Sequence, residues 1–125
     1  MSTPYEIRTL TEDILARASE DWVSPFEVIR ICKRSGLRNE EDLLDLAIGI
    51  IARMLTRGLL LAGDIESKVG HRPWNCDSGQ AMSRIIEEWC AYPNPFDVPL
   101  GEIAWFAVTS EGRRIGESVW RRESE

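Results

Sequence analysis

A chain of 125 residues, 43% hydrophobic and 29% charged, has the composition of one folded domain with its own core. Its formal charge of −6 gains nothing from a polyanionic backbone and suits a basic protein partner, or solubility alone. The longest apolar run falls short of a membrane span, and the N-terminus lacks the basic and apolar stretches of a secretory signal, so a cytoplasmic location without membrane contact is expected.

Thr3-Pro4-Tyr5-Glu6 has the form of a helix start, with a threonine cap, proline at the first position and glutamate at the third. A helix is expected over 4–20, with Ile7, Leu10, Ile14, Leu15 and Ala18 facing inward and Thr9 or Thr11 as places to break or restart. Trp22-Val23 reads as an extended link, at most one strand of a small sheet. Ser24-Pro25-Phe26-Glu27 repeats the capping signature and opens a helix over 25–34 that Gly36 ends.

Asn39 caps the central helix, and Glu40, Glu41 and Asp42 occupy its first turn, where the helix dipole favours carboxylates. Leu43, Leu46, Ala47, Ile50 and Met54 form one apolar stripe, and Leu44, Ile48, Ile51 and Leu55 a second. Two stripes predict a helix buried around most of its circumference. Gly58 stands where a left-handed C-terminal cap is needed. A short apolar strand over 59–65 follows, with Gly63-Asp64 as a turn signal.

Residues 66–79 read as a polar loop. Asp77 and Gln80 cap a helix over 78–92 that buries Met82, Ile85, Ile86 and Trp89; Trp74 is expected nearer the surface. Pro93, Pro95 and Pro99 predict an irregular connector. Residues 103–108 alternate without charge and read as a strand covered on at least one side. Thr109-Ser110-Glu111-Gly112 starts a last helix carrying Ile115 and Val119, and the terminal RRESE is expected to fray.

Catalysis is poorly served. His71 is the only histidine, so neither a Ser/His/Asp triad nor a His-rich metal site is expected. His71, Cys76 and Cys90 match no zinc spacing, so His71 is expected as a loop residue near Trp74, and no metal or cofactor is expected. Cys32 and Cys90 fall in apolar helical patterns and read as buried reduced thiols. Glu87-Glu88 and the acids at 40–42 point in diverging directions and read as solvated helix faces.

Three helices, a strand, a return strand and a closing helix follow the order of a winged helix. Leu55-Thr56-Arg57-Gly58-Leu59-Leu60 resembles a recognition helix running into the first wing strand. Trp105 to Arg113, WFAVTSEGR, resembles the second wing strand and the T-x-E-G-R helix start of bacterial winged-helix proteins. The resemblance implies an α+β, winged-helix-like domain over 1–125: three N-terminal helices, a small antiparallel sheet with a helix inserted in the wing, and a C-terminal helix. The chain is also similar in outline to small acidic bacterial immunity proteins.

A DNA-reading helix would set its N-terminal residues against the polyanion. Here those are Glu40, Glu41, Asp42 and Asp45, all carboxylates. The basic cluster Arg30, Lys33, Arg34 and Arg38 is expected to pair with the acids of the following helix. The function expected is therefore non-enzymatic: a protein-binding module, most concretely an immunity protein that neutralises a basic toxin domain. The alternative is a winged-helix transcription regulator. The expected contact residues are Glu40, Glu41, Asp45, Asp64 and Glu66, with Trp74 as an aromatic anchor.

Overall fold

The computed structural model describes residues 7–124. The elements run α1 (Leu10–Glu20), α2 (Pro25–Cys32), a 3-10 turn (Lys33–Ser35), α3 (Glu40–Thr56), β1 (Leu60–Glu66), β2 (Gly70–Pro73), α4 (Ser78–Ala91), β3 (Trp105–Val108) and α5 (Ser110–Ser124). This is an α+β layout: helices around a three-stranded antiparallel sheet of order β2-β1-β3.

The capping box at 3–6 lies outside the described residues. The box that starts α1 is Thr9 with Glu12: the Glu12 N–H donates to the Thr9 hydroxyl, and the Thr9 N–H donates to the Glu12 carboxylate. It holds Thr9 extended, at φ −66 and ψ 163, so α1 starts at Leu10 and not near residue 4. Ile7 consequently lies before the helix and is 85% exposed, not inward. α2 stops at Cys32, and the remaining residues of the expected helix tighten into the 3-10 turn before Gly36, at φ 86.

α3 starts and ends as its caps predict. Asn39 accepts from the Asp42 N–H, and Gly58 takes φ 71. Its stripes bury Leu43, Ala47, Ile50, Ile51, Met54 and Leu55. β1 is the central strand. Gly63 is not a turn: it pairs with Pro73 on one side and Trp105 on the other. A Cβ there would meet the Arg72 carbonyl oxygen at 2.2 Å, so glycine serves close strand approach. The reversal comes instead at 67–69, and Gly70 at φ 89 opens β2 inside what reads in sequence as loop. Val23 joins the sheet by a single bridge, exchanging backbone hydrogen bonds with Phe106.

On α4, Met82, Ile85 and Trp89 are buried. Trp89 is fully enclosed, and its indole N–H donates to the Pro95 carbonyl at 2.7 Å, fastening the proline connector to the core. Ile86 is 41% exposed, off the stripe, and Cys90 is exposed too; of the three thiols Cys32 alone is buried. β3 begins at Trp105, because Gly101 and Ile103 both have positive φ and bend the chain out of strand geometry just before it.

α5 continues through Ser124; the charged tail is helical, not frayed, to that point. Its packing explains why. Gly112 and Gly116 put the α5 backbone directly against neighbouring carbonyls: a Cβ would lie 2.1 Å from the Leu59 oxygen at Gly112 and 2.4 Å from the Leu15 oxygen at Gly116. The last turns of α5 then reach α1. The Trp120 indole donates to the Ala16 carbonyl, Arg122 pairs with Glu12, and Glu123 with Arg8.

Glycines with and without neighbours should separate in stability. Gly116→Ala forces a methyl into the Leu15 carbonyl and should cost about 2–3 kcal/mol by overpacking. Gly49→Ala, at a helical site with nothing within 4 Å of the new Cβ, should gain about 0.5–1 kcal/mol. Urea unfolding of both variants checks this; a neutral Gly116→Ala would mean that α5 does not approach α1 this closely.

Candidate functional site

The residues expected to meet a partner fall into two groups. Glu40, Glu41 and Asp45 are exposed on the first turns of α3. Among the described residues none of the three forms an ion pair, so their charges stand free in solvent. Asp45 also borders an open, mainly apolar groove between α1 and α3, floored by Leu46, Gly49 and Ile50.

The second group sits at the other end of α3. Trp74 lines a small cleft with Leu55, in the last turn of that helix. Glu41 and Leu55 are separated by about 20 Å of helix at about 1.5 Å per residue. Trp74 is half-buried and held on two sides. Its indole N–H donates to Asp64 at 3.0 Å, and the Arg84 guanidinium lies 3.8 Å from the ring centroid. Glu66 is paired with Arg72 across the hairpin. The structure thus joins Asp64, Glu66 and Trp74 around the β1–β2 hairpin and leaves the α3 acids apart from them.

A further feature is visible only in three dimensions. Phe106, Leu60 and Ala62 point to the core, so the alternate residues share the opposite face of the sheet. That face carries Leu61, Ile65, His71, Pro73, Trp105 and Ala107, without a formal charge. It is only partly covered: Leu61 is 44% exposed, and Ile65, His71, Trp105 and Ala107 are half-buried. His71 is a strand residue, not a loop neighbour of Trp74. Its ring reaches across glycine-bare β1, with Nε2 2.9 Å from the Trp105 carbonyl oxygen. Trp22 stands beside it, 6.4 Å between ring centroids.

The basic cluster also departs from expectation. Arg34 pairs not with the acids of α3 but with Asp13 of α1. Asp13 is 2% exposed and accepts from Arg8, Arg17 and Arg34. Burial pushes its carboxyl upward, but the three guanidinium hydrogen bonds outweigh burial, and its pKa lies below the ordinary 3.8. Sequence shows only the Asp13–Arg17 pair, at i,i+4 spacing; Arg8 and Arg34 arrive by tertiary packing. Arg30 and Lys33 instead lie over the Phe26 and Phe96 rings.

Burial lifts the Cys32 thiol to about 11, which keeps it protonated and inert. No set of three metal-ligating side chains gathers among the described residues, and none of their helices is long and apolar enough to cross a membrane. No protein-family model matches the chain, and no match was found among curated proteins or solved structures.

The Asp13 cluster makes stability sensitive to acid. Glu12 is lowered from 4.5 chiefly by the Arg122 hydrogen bond, Glu123 from 4.5 chiefly by Arg8, and Asp13 from 3.8. Depressed folded values mean the unfolded chain binds protons first. Their contribution is therefore complete above the ordinary carboxylate values and is lost as pH falls through the folded ones. Asp13→Asn should cost about 3 kcal/mol at neutral pH, since the arginines lose a buried counter-charge. The gap between variant and wild type should begin to narrow near the ordinary value of 3.8 and close only as pH falls through the lower folded value, where the wild-type carboxyl is neutral too. Urea unfolding across that range tests it; a gap independent of pH would show that Asp13 acts by shape and not by charge.

Proposed function

We propose that this protein is a non-catalytic protein-binding module with a winged-helix-like arrangement, most concretely an immunity protein that covers a basic toxin domain. The element order α1, Val23, α2, α3, β1, β3 supports the arrangement, with β2 and α4 inserted between the two long-range paired strands. The observation that carries the binding role is the uncharged outer face of the sheet, where Leu61 and the Trp22–His71–Trp105 group present apolar and aromatic surface. Contiguous apolar surface that includes exposed aromatic residues marks interfaces.

Charge selects the partner. The chain carries −6 overall, and the free carboxylates of α3 supply a field that attracts a basic surface and raises its association rate. The same carboxylates oppose DNA at the end of α3 that would have to enter a groove. A cytoplasmic location fits this role.

The test is co-expression with a toxin candidate encoded beside the gene, together with binding kinetics. Glu41→Lys with Asp45→Lys should slow association and flatten its salt dependence. Leu61→Arg should weaken affinity about tenfold or more through a lost apolar contact. Leu61 is a partly exposed site where stability should move little, while reversing Glu41 at the N-terminus of α3 should cost no more than about 1 kcal/mol through the helix dipole, too little to unfold the protein. Protection that survives both changes with unaltered kinetics would remove these surfaces from the interface. Submicromolar binding to duplex DNA that collapses with added salt would favour a transcription regulator instead.

A further inference from the structure

A pocket of about 200 Å³ opens between α1 and α2, walled by Arg17, Arg30 and Arg34 with Asp13, Glu27 and Ile31. Three cations face two carboxylates, and both carboxylates are already engaged. Asp13 is saturated by guanidinium donors. Glu27 is turned away to the start of α2, where it accepts from the Ser24 N–H at 3.1 Å and the Ser24 hydroxyl at 2.8 Å. That capping box removes the acid one helical turn from Arg30, its natural i,i+3 partner.

The donors remaining in the pocket are therefore cationic. Arg17 uses only Nε, toward Asp13, which leaves its two terminal nitrogens available. Arg30 makes no hydrogen bond among the described residues; its guanidinium rests 5.3 Å from the Phe26 ring centroid. Arg34 donates from one terminal nitrogen to Asp13 and from the other to the Arg8 carbonyl, so it contributes chiefly charge. Two guanidinium forks from successive helices with no acceptor to occupy them suit an oxyanion that can receive several hydrogen bonds at once.

We infer that this pocket binds a phosphate group, as free phosphate or the phosphoryl end of a small phosphomonoester. Phosphate is preferred over a carboxylate because its terminal oxygens can take both forks and its charge neutralises the local excess. The site is distinct from the outer sheet face and from the α3 acids, and it does not depend on the toxin-binding reading. The competing account is structural: Arg17 and Arg30 lie in the last turns of α1 and α2, where cations stabilise the helix dipole.

Titration with inorganic phosphate, followed by the arginine Nε–H resonances of ¹⁵N-labelled protein, separates the two. Saturable shifts of Arg17 and Arg30 at millimolar phosphate are expected, accompanied by thermal stabilisation. Arg17→Gln with Arg30→Gln should weaken binding by about tenfold or more. Phosphate also stabilises proteins generally by exclusion from their surface, so the variant measured in the same buffer is the reference. Stabilisation of equal size in both proteins, rising without saturation, overturns the site and leaves only the dipole role. Acetate binding as tightly as phosphate overturns the phosphate assignment. Displacement of phosphate by duplex DNA at a lower concentration of phosphate groups would show an open backbone-binding surface and also overturn it. Arg30→Gln alone keeps the test sound if the double variant fails to fold, since Arg30 makes no hydrogen bond within the described chain.

Discussion

The closest constraint in this structure is the contact of α5 backbone with the Leu15 and Leu59 carbonyls, possible because residues 112 and 116 have no side chain. That approach fixes where the last turns of α5 land. Once Gly116 seats on α1, Trp120 comes within reach of the Ala16 carbonyl, and Glu123 and Arg122 meet Arg8 and Glu12. Arg8 is thereby positioned to bond both Glu123 and Asp13. The buried carboxylate then recruits Arg34 from the turn after α2. A steric allowance of two glycines thus propagates into an electrostatic network tying α1, α5 and the end of α2 together. Exposed ion pairs contribute little alone, but pairs converging on a buried carboxylate carry the cost of an unpaired charge if one is removed.

Much of the fold is legible in the sequence because it is encoded locally. Asn39, Asp77 and Ser24 act as caps where their spacing to Asp42, Gln80 and Glu27 indicates. The double stripe of α3 and the fully buried Trp89 follow from periodicity. Several misreadings share a cause in a neighbour distant in sequence, whereas the late start of α1 is local, set by the Thr9–Glu12 capping box. Gly63-Asp64 has the composition of a turn, yet the glycine answers to Arg72 across the hairpin. β2 is short, lacks alternation and ends in proline, so only its pairing with β1 reveals it. The terminal RRESE looks like a solvated tail until Arg8 and Glu12 are placed beside it.

The candidate surfaces divide in the same way. The exposure of Glu40, Glu41 and Asp45 follows from cap position and stripe geometry. Their separation from Trp74 does not, because the length of α3 lies between them. Trp74 itself is less free than its polar loop suggests: Asp64 and Arg84 fix its ring. The sheet face could be recognised only in part. Alternation at 103–108 puts Trp105 and Ala107 on one side, but grouping them with Leu61, Ile65 and His71 needs the register of three strands.

The distribution of arginines finally decides how the surface behaves. With 21 acids against 15 lysines and arginines, a random scatter would leave most carboxylates near a cation. Here Arg8, Arg17, Arg34 and Arg122 are drawn to the α1–α5 seam and its buried Asp13. Their recruitment leaves the first-turn acids of α3 without an ion-pair partner among the described residues, although Arg38 stands two residues before Glu40 and Arg53 shares the groove beside Asp45. Any field from these exposed acids falls off over roughly 8–10 Å at physiological salt. Under the proposed reading, that arrangement favours the approach of a basic surface over that of a polyanion. The helix N-terminus accounts for part of the preference for acids on the first turn, but it reaches no further than that turn. Asp45 lies beyond it, on the rim of the α1–α3 groove, so helix stabilisation alone does not explain the full extent of the acidic surface.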